Sequence, residues 1–250
     1  MKRKRVILGL FWGVATGLSV GVAEAELNPM MVVPGEVVYE SDFSEDGAVS
    51  KEDWLSRQGT RWEISDGVLK GQPSSAEYQA AKSHHRGLEA RTSVPKTPAE
   101  FLMTFSVRFL GGEETEIVPF VEFGHHVCRV KFGAETGTFM LADGETLKVA
   151  EAVEFTYEPG KWYRVMAELK GDEAVVQFEE GPVFYARHEC FAKPNPSGGN
   201  GLGIAGPRGG KVEVDDVRIW VIEGGERDGW AEVRDGMPAF EPVATGKVKK

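Results

Sequence analysis

Two short alternating runs meet at Asp66-Gly67 in the segment RWEISDGVLKG, Arg61 to Gly71, and this arrangement limits the possible folds more than any other feature of the chain. A two-residue hairpin connection of type I′ needs positive φ at both central positions, which Asp-Gly supplies readily, and Trp62, Ile64 and Val68 give the arms an apolar side. The same device recurs. Gly124-His125 separates IVPFVEF from HVCRVKF, Asp143-Gly144 separates TFMLA from ETLKVA, and Gly171-Asp172 separates WYRVMAELK from EAVVQFE. Two-residue turns at all four places predict an antiparallel, all-β domain. Strand-like runs follow one another from Glu36–Phe43 to Val212–Ile222 and leave room for two short helices, over Ala76–His84 inside a long loop and over Arg227–Arg234.

Residues 1–25 stand apart from the fold. Lys2-Arg3-Lys4-Arg5 precedes an apolar run from Val6 to Val22 and then Ala23-Glu24-Ala25, the pattern of a Sec signal peptide with an A-x-A cleavage site. Its removal takes away four positive charges and one negative, so the net charge moves from −10 to about −13. Such a surface repels phosphate backbones, which argues against nucleic acid as a partner. No second apolar run is long enough to span a bilayer, so no membrane contact is expected after cleavage and the mature chain is expected in the periplasm or outside the cell. The organisation read from these signals is a linker over 26–35, one β-sandwich domain over 36–222, and a tail over 223–250 that docks and then frays beyond the proline-broken PAFEP.

Asp42-Phe43, WEISDGVLKG from Trp62, FSVRF at Phe105 and VDDVRIW at Val214 resemble the concanavalin A-like jelly-roll superfamily, and more narrowly the 3-keto-disaccharide hydrolase domain family, over roughly Glu36 to Ile222. The resemblance implies a two-sheet antiparallel jelly-roll sandwich, concanavalin A-like or laminin-G-like, and a hydrolase acting on oxidised or ordinary glycosides. The family's YEVQI-like strand, which presents acidic and polar groups, has no recognisable copy here.

Turn positions fix register, and register sorts each hairpin into two faces. Around Gly171-Asp172 the core face holds Tyr163, Val165, Ala167, Leu169, Ala174, Val176 and Phe178, and the opposite face carries Trp162, Arg164, Met166, Glu168, Val175, Gln177 and Glu179. Around Gly124-His125 the core face holds Val121, Phe123, His126, Cys128, Val130 and Phe132, with Phe120, Glu122, Val127, Arg129 and Lys131 outside. Arg108, Arg218 and Trp220 join the outer set. Sugars stack their C–H faces on aromatic rings while carboxylates and guanidinium groups hold hydroxyls, so Trp162 and Trp220 are candidate stacking residues and Arg108, Glu122, Arg129 and Arg164 candidate hydroxyl partners. A cross-strand ion pair between Arg164 and Glu179 accounts for those two without a ligand.

His126-Val127-Cys128 and His188-Glu189-Cys190 share the spacing His-x-Cys. Three readings stay open: a Cys128–Cys190 disulfide, whose loop of about 60 residues gives roughly 4 kcal/mol in the chain-entropy model; two buried unpaired cysteines; or a His₂Cys₂ zinc set. His84 and His85 lie in a long polar loop, and if it folds over the sandwich mouth His85, His126 and Arg129 converge there. GLGIAG, Gly201 to Gly206, matches a dinucleotide fingerprint but lacks the flanking strand and helix, so no cofactor is expected. Glu213-Val214-Asp215 has the acid-x-acid form of retaining glucanases, with Val217 where a third acid belongs. Asp42, Asp215 and Asp216 could surround a structural calcium if the first and last strands are neighbours.

The leading expectation is an exported glycan-binding sandwich, non-catalytic or weakly catalytic. The alternatives are a glycoside-processing hydrolase with Glu122, His126 or His85 as acid–base groups, and a structural or interaction protein of the cell envelope.

Overall fold

The computed structural model describes residues 27–94, 97–124, 127–133, 138–142, 145–151, 155–192, 201–237 and 241–247. Its strands, in chain order, are β1 (Val32–Ser41), β2 (Gly47–Ala48), β3 (Leu55–Ser56), β4 (Arg61–Ser65), β5 (Val68–Gln72), β6 (Glu89–Ser93), β7 (Phe101–Leu110), β8 (Phe120–Phe123), β9 (Cys128–Lys131), β10 (Thr138–Ala142), β11 (Glu145–Ala150), β12 (Tyr163–Lys170), β13 (Glu173–Phe178), β14 (Val183–Arg187), β15 (Leu202–Arg208), β16 (Lys211–Glu226) and β17 (Val243–Lys247). Two short helices, α1 (Ala76–Ala80) and α2 (Trp230–Asp235), fall where the sequence places them. All pairings among the described residues are antiparallel. Sheet A runs β14-β13-β12-β7-β16-β5-β4-β2, with β1 beside the far half of β16, and sheet B runs β17-β11-β10-β9-β8-β15-β6-β3. The two sheets pack face to face as a jelly-roll sandwich.

Alternation fills the space between the layers. Leu69, Phe105, Val107, Phe109, Val165, Val176, Val214 and Ile219 of sheet A meet Val121, Phe123, Val130, Leu202 and Ile204 of sheet B in one continuous core. Phe132 joins the layers through edge-on or tilted contacts with Phe109, Phe178 and Tyr163 at 5.1, 5.4 and 5.6 Å. Each fully buried ring of this kind contributes about 1.5–3 kcal/mol of transfer free energy.

The Asp66-Gly67 turn has φ of 54° and 71°, the positive pair that a type I′ connection requires, and Gly171 starts the β12–β13 turn at 55°. The β8–β9 connection differs from expectation. Phe123 pairs with Cys128 and Glu122 with Arg129, so the loop holds four residues, Gly124 to Val127, closed by a Val127 N–H to Gly124 carbonyl bond of 3.0 Å. The register therefore slips by two from the one a Gly124-His125 turn would give, and an even slip leaves every strand side chain on its expected face. Val127 is the exception, since in the loop it turns inward and packs in the core instead of facing out. Between β10 and β11 Ala142 pairs with Thr146, one residue more than a two-residue turn allows, while Asp143 and Gly144 themselves lie outside the described residues.

Elements at the ends of the chain exceed the sequence reading. β1 begins at Val32, four residues before the expected strand, β16 continues to Glu226, and Val243–Lys247 pairs with β11 as an edge strand. β2 and β3 were invisible to pattern reading because two residues carry no period.

Candidate functional site

The six expected sugar contacts divide between two faces that look away from each other. Trp162, Arg108, Arg164 and Trp220 lie on the outer face of sheet A, on β7, β12 and β16 or immediately beside them. Glu122 and Arg129 lie on the outer face of sheet B. A single groove holding Trp162, Arg129 and Glu122 is therefore ruled out by sheet membership, which the turn signals do not encode.

Face A is a ladder of ion pairs at its open end. The Arg108 guanidinium sits 4.7 Å from the Trp162 ring centre and donates from Nε to Glu213 at 2.9 Å. Arg164 reaches Glu179 at 3.4 Å, the cross-strand pair expected from the sequence, while Lys70 pairs with Asp66 and Arg218 with Glu40. Asp215, on this face of β16, has its carboxyl raised above the usual range by burial, with Asp216 and Asp42 adding like charge. A bulge follows, in which Asp216 takes φ of 48° and the β7 pairing resumes at Arg218. Val217 points into the core, so the next outward position after Asp215 belongs to Arg218, an arginine where the acid pattern would need a carboxylate. Beside it lies a groove of ≈ 600 Å³ between Glu40, Asp42, Thr104, Arg164, Trp220 and the segment at Leu27 and Pro29.

The other end of face A is covered by the chain itself. Glu168, 1% exposed, accepts three consecutive backbone N–H groups, from Met30 at 2.9 Å, Met31 at 2.8 Å and Val32 at 2.9 Å. Desolvation nevertheless pushes its carboxyl up, against the lowering effect of those amides and of Gln177. Glu173 plays the matching role for α2, taking the Tyr185 hydroxyl and the indole N–H of the buried Trp230 at 3.4 Å. Glu168, Val175 and Gln177, read from sequence as part of a solvated binding surface, are here the floor beneath two docked segments. A run of apolar residues at Met30–Val33 and Trp230 were the available signals.

Face B carries a cluster of largely buried charged groups. Arg129 donates to Glu122 at 2.7 Å, with side-chain exposures of 14% and 10%, and its guanidinium lies 3.9 Å from the centre of the Phe120 ring. Arg91 approaches the same ring at 5.4 Å and stands 3.6 Å from Glu89, too long for a hydrogen bond, so its buried Nε has none among the described residues. Desolvation lowers the Arg91 guanidinium from its usual range, and the neighbouring Arg129 charge adds to this. Gly203 lies directly beneath Glu122. A Cβ there would come within 2.6 Å of Glu122 Cγ, so only glycine lets the carboxylate lie flat on the strand.

His85 is exposed on its loop at φ of 52°, with its ring 5.1 Å from that of His84. His126 and the Cys190 side chain lie outside the described residues, and with them the His85–His126–Arg129 convergence, the disulfide and the zinc readings. Cys128 is buried in the core. Asp42 accepts the Ser44 N–H at 3.0 Å, which lowers its carboxyl, and among the described residues no three His, Cys, Asp or Glu side chains gather as a metal site. GLGIAG forms most of β15, a strand and not a phosphate loop. No helix among the described residues is long and apolar enough to cross a membrane.

Two antiparallel sheets with this order, packed face to face, define an antiparallel jelly-roll sandwich. LamA of Zobellia galactanivorans, crystallised as a variant with laminaritriose and laminaritetraose, is similar at a TM-score of 0.50 and 12% identity over 76% of this chain and 100% of that one. The carbohydrate-binding module CBM66 of Bacillus subtilis is similar at a TM-score of 0.46 and 12% identity over 68% and 96% of the two chains. At such identities the likeness is one of fold. No family model matches the chain, and no curated protein matches it.

Proposed function

We propose that the protein is an exported glycan-binding sandwich whose site is the outer face of sheet B. One observation carries this reading: Glu89, Arg91, Glu122 and Arg129 form a cluster of charged groups with side-chain exposures of 19% or less. Burying charges costs several kcal/mol per ion, and clusters that retain such a cost in a cleft are candidates for function. Carboxylate and guanidinium groups fixed side by side offer acceptors and planar donors at the pitch of vicinal hydroxyls, with little side-chain entropy left to lose. Phe120 is buried and flanked by both guanidiniums, so it positions them and is not itself a stacking platform. The fold neighbour solved with laminaritriose and laminaritetraose supports a sugar as the ligand class. The acidic chain favours a neutral sugar over a polyanion. Export rests on the leader over 1–25.

Retention on a panel of immobilised glycans tests this. Saturable binding is expected, weakened at least ~10-fold by Arg129→Lys, which keeps the charge but loses the planar fork, and by Glu122→Gln. Variants that fold normally and bind as tightly as the parent would overturn it. Face A, with Trp162 and Trp220 to stack and Arg108 and Arg164 to bond hydroxyls, is the second seat. Its support is the ≈ 600 Å³ groove, which Arg164 and Trp220 line while Trp162 and Arg108 stand outside it, and loss of binding in Trp220→Ala alone would move the site there. The hydrolase reading, of 3-keto-disaccharide type with Glu122 as acid–base group, calls for product release that Glu122→Ala abolishes.

A further inference from the structure

The end of sheet A that carries Glu168 and Gln177 behaves as a receptor for extended backbone. Residues Leu27–Val32 cross it without pairing as a strand until Val32, and most of the polar contacts to them are made to main-chain atoms. Glu168 takes the three amides of Met30, Met31 and Val32, the Gln177 amide donates to the Asn28 carbonyl at 2.9 Å, the Arg227 guanidinium bonds the Pro29 carbonyl, and the Arg227 N–H donates to the Met31 carbonyl at 2.8 Å. Side-chain recognition centres on Met31 and Val32, both fully buried among Leu102, Met166, Val175 and Trp230, with Leu27 and Met30 packed partly buried against the same cluster.

Three observations separate this segment from an ordinary part of the core. It packs in a cluster of its own on the outer side of the sheet, distinct from the inter-sheet core. Its junction with β1 is irregular, since the β1–β16 register shifts between Val32 and Pro34 and again between Pro34 and Val37, around Pro34-Gly35. The groove of ≈ 600 Å³ next to it has Leu102 and Met166 in its lining as well, with Leu27 and Pro29 forming one wall, so the seat of the segment and the groove form one trough that the segment divides. Docking also strips water from the Glu168 carboxylate, and this offsets part of what three charge-assisted bonds contribute.

We infer that the trough is a peptide-binding site whose resident ligand is the protein's own Leu27–Val32 segment, and that it accepts in exchange an extended peptide with three consecutive free N–H groups and two adjacent large apolar side chains. Recognition of this kind reads main chain for affinity and side chains for specificity. Glu168 is its central anchor. The resident segment competes from the same chain at high effective concentration, so the parent protein binds an external peptide weakly.

The test uses full-length protein and a labelled peptide of residues 27–33. Met31→Asp places a charge in the buried seat and should release the resident segment while leaving the trough intact. Fluorescence anisotropy is expected to show saturable peptide binding to Met31→Asp, at least ~10-fold tighter than to the parent, and a loss of at least ~10-fold when Glu168→Gln is added. A folded Met31→Asp protein that binds no peptide, or that binds it equally well after Glu168→Gln is added, overturns the inference. Hydrogen exchange on the parent protein decides the matter if Met31→Asp fails to fold. The amides of Met30, Met31 and Val32 are expected to open together and well before those of β7 and β12, and exchange only through global unfolding would overturn the proposal. None of these readings involves a sugar, so they stand or fall separately from glycan binding on sheet B.

Discussion

Along the outer face of sheet A, carboxylates at one end answer arginines and lysines, and at the other end they answer backbone amides and an indole. Glu179 is a partly solvated partner in a cross-strand ion pair with Arg164, whereas Glu168 and Glu173 are buried beneath chain segments that arrive from opposite ends of the sequence. The residue type and the outward direction are the same at both ends. What differs is the cover, and the cover decides whether a glutamate contributes little to stability or anchors a segment. A pair on a wet surface is typically worth up to ~1 kcal/mol, while a buried carboxylate satisfying several donors leaves all of them unpaired when it is removed.

The sharpest way to break this comparison is at the covered end. Trp230→Ala, which empties a site 1% exposed, is expected to cost about 3–5 kcal/mol in urea unfolding. Glu168→Ala should cost about 3 kcal/mol, because three buried amides lose their acceptor. An unchanged urea midpoint would mean that the segment docks on apolar contact alone. The pH response sharpens the point. The folded-state value of Glu168 lies above its ordinary one, so the folded chain holds the extra proton between the two; the associated stability is fully present below the ordinary value and is lost as pH rises through the raised one. Relative to Glu168→Gln, which does not titrate, the parent should lose stability across that window, and parallel curves would contradict it. At the open end, Glu179→Gln is expected to change stability by less than ~1 kcal/mol despite its pairing with Arg164. On sheet B, Gly203→Ala should leave the urea midpoint within ~1–2 kcal/mol while displacing Glu122, and should weaken glycan retention more than it weakens the fold.

Much of the sandwich was legible because its signals are local. Asp66-Gly67 and Gly171-Asp172 fix their hairpins within a few residues, and parity within a strand survives even the two-residue error at Gly124, so Glu122 and Arg129 still face outward. What pattern reading could not supply was membership. Trp162 and Glu122 are both outward, yet nothing short-range says that β12 joins sheet A and β8 joins sheet B. The roles of Glu168 and Glu173 were hidden for the same reason, since their partners lie as far away as Met30 and Trp230. The bulge at Asp216 was hidden too, and it is what lets Glu213 and Arg218 share the outer face.

The pairing of Val32 with Glu226 places the start of the first strand against the finish of the longest one. Tension applied at those two points would load the β1–β16 ladder as a zipper and not in shear, opening its bonds one after another from that end. The domain should therefore yield to pulling at low force and peel first where the two docked segments meet, so that Arg227 and Met31 act as the clasp of the seam.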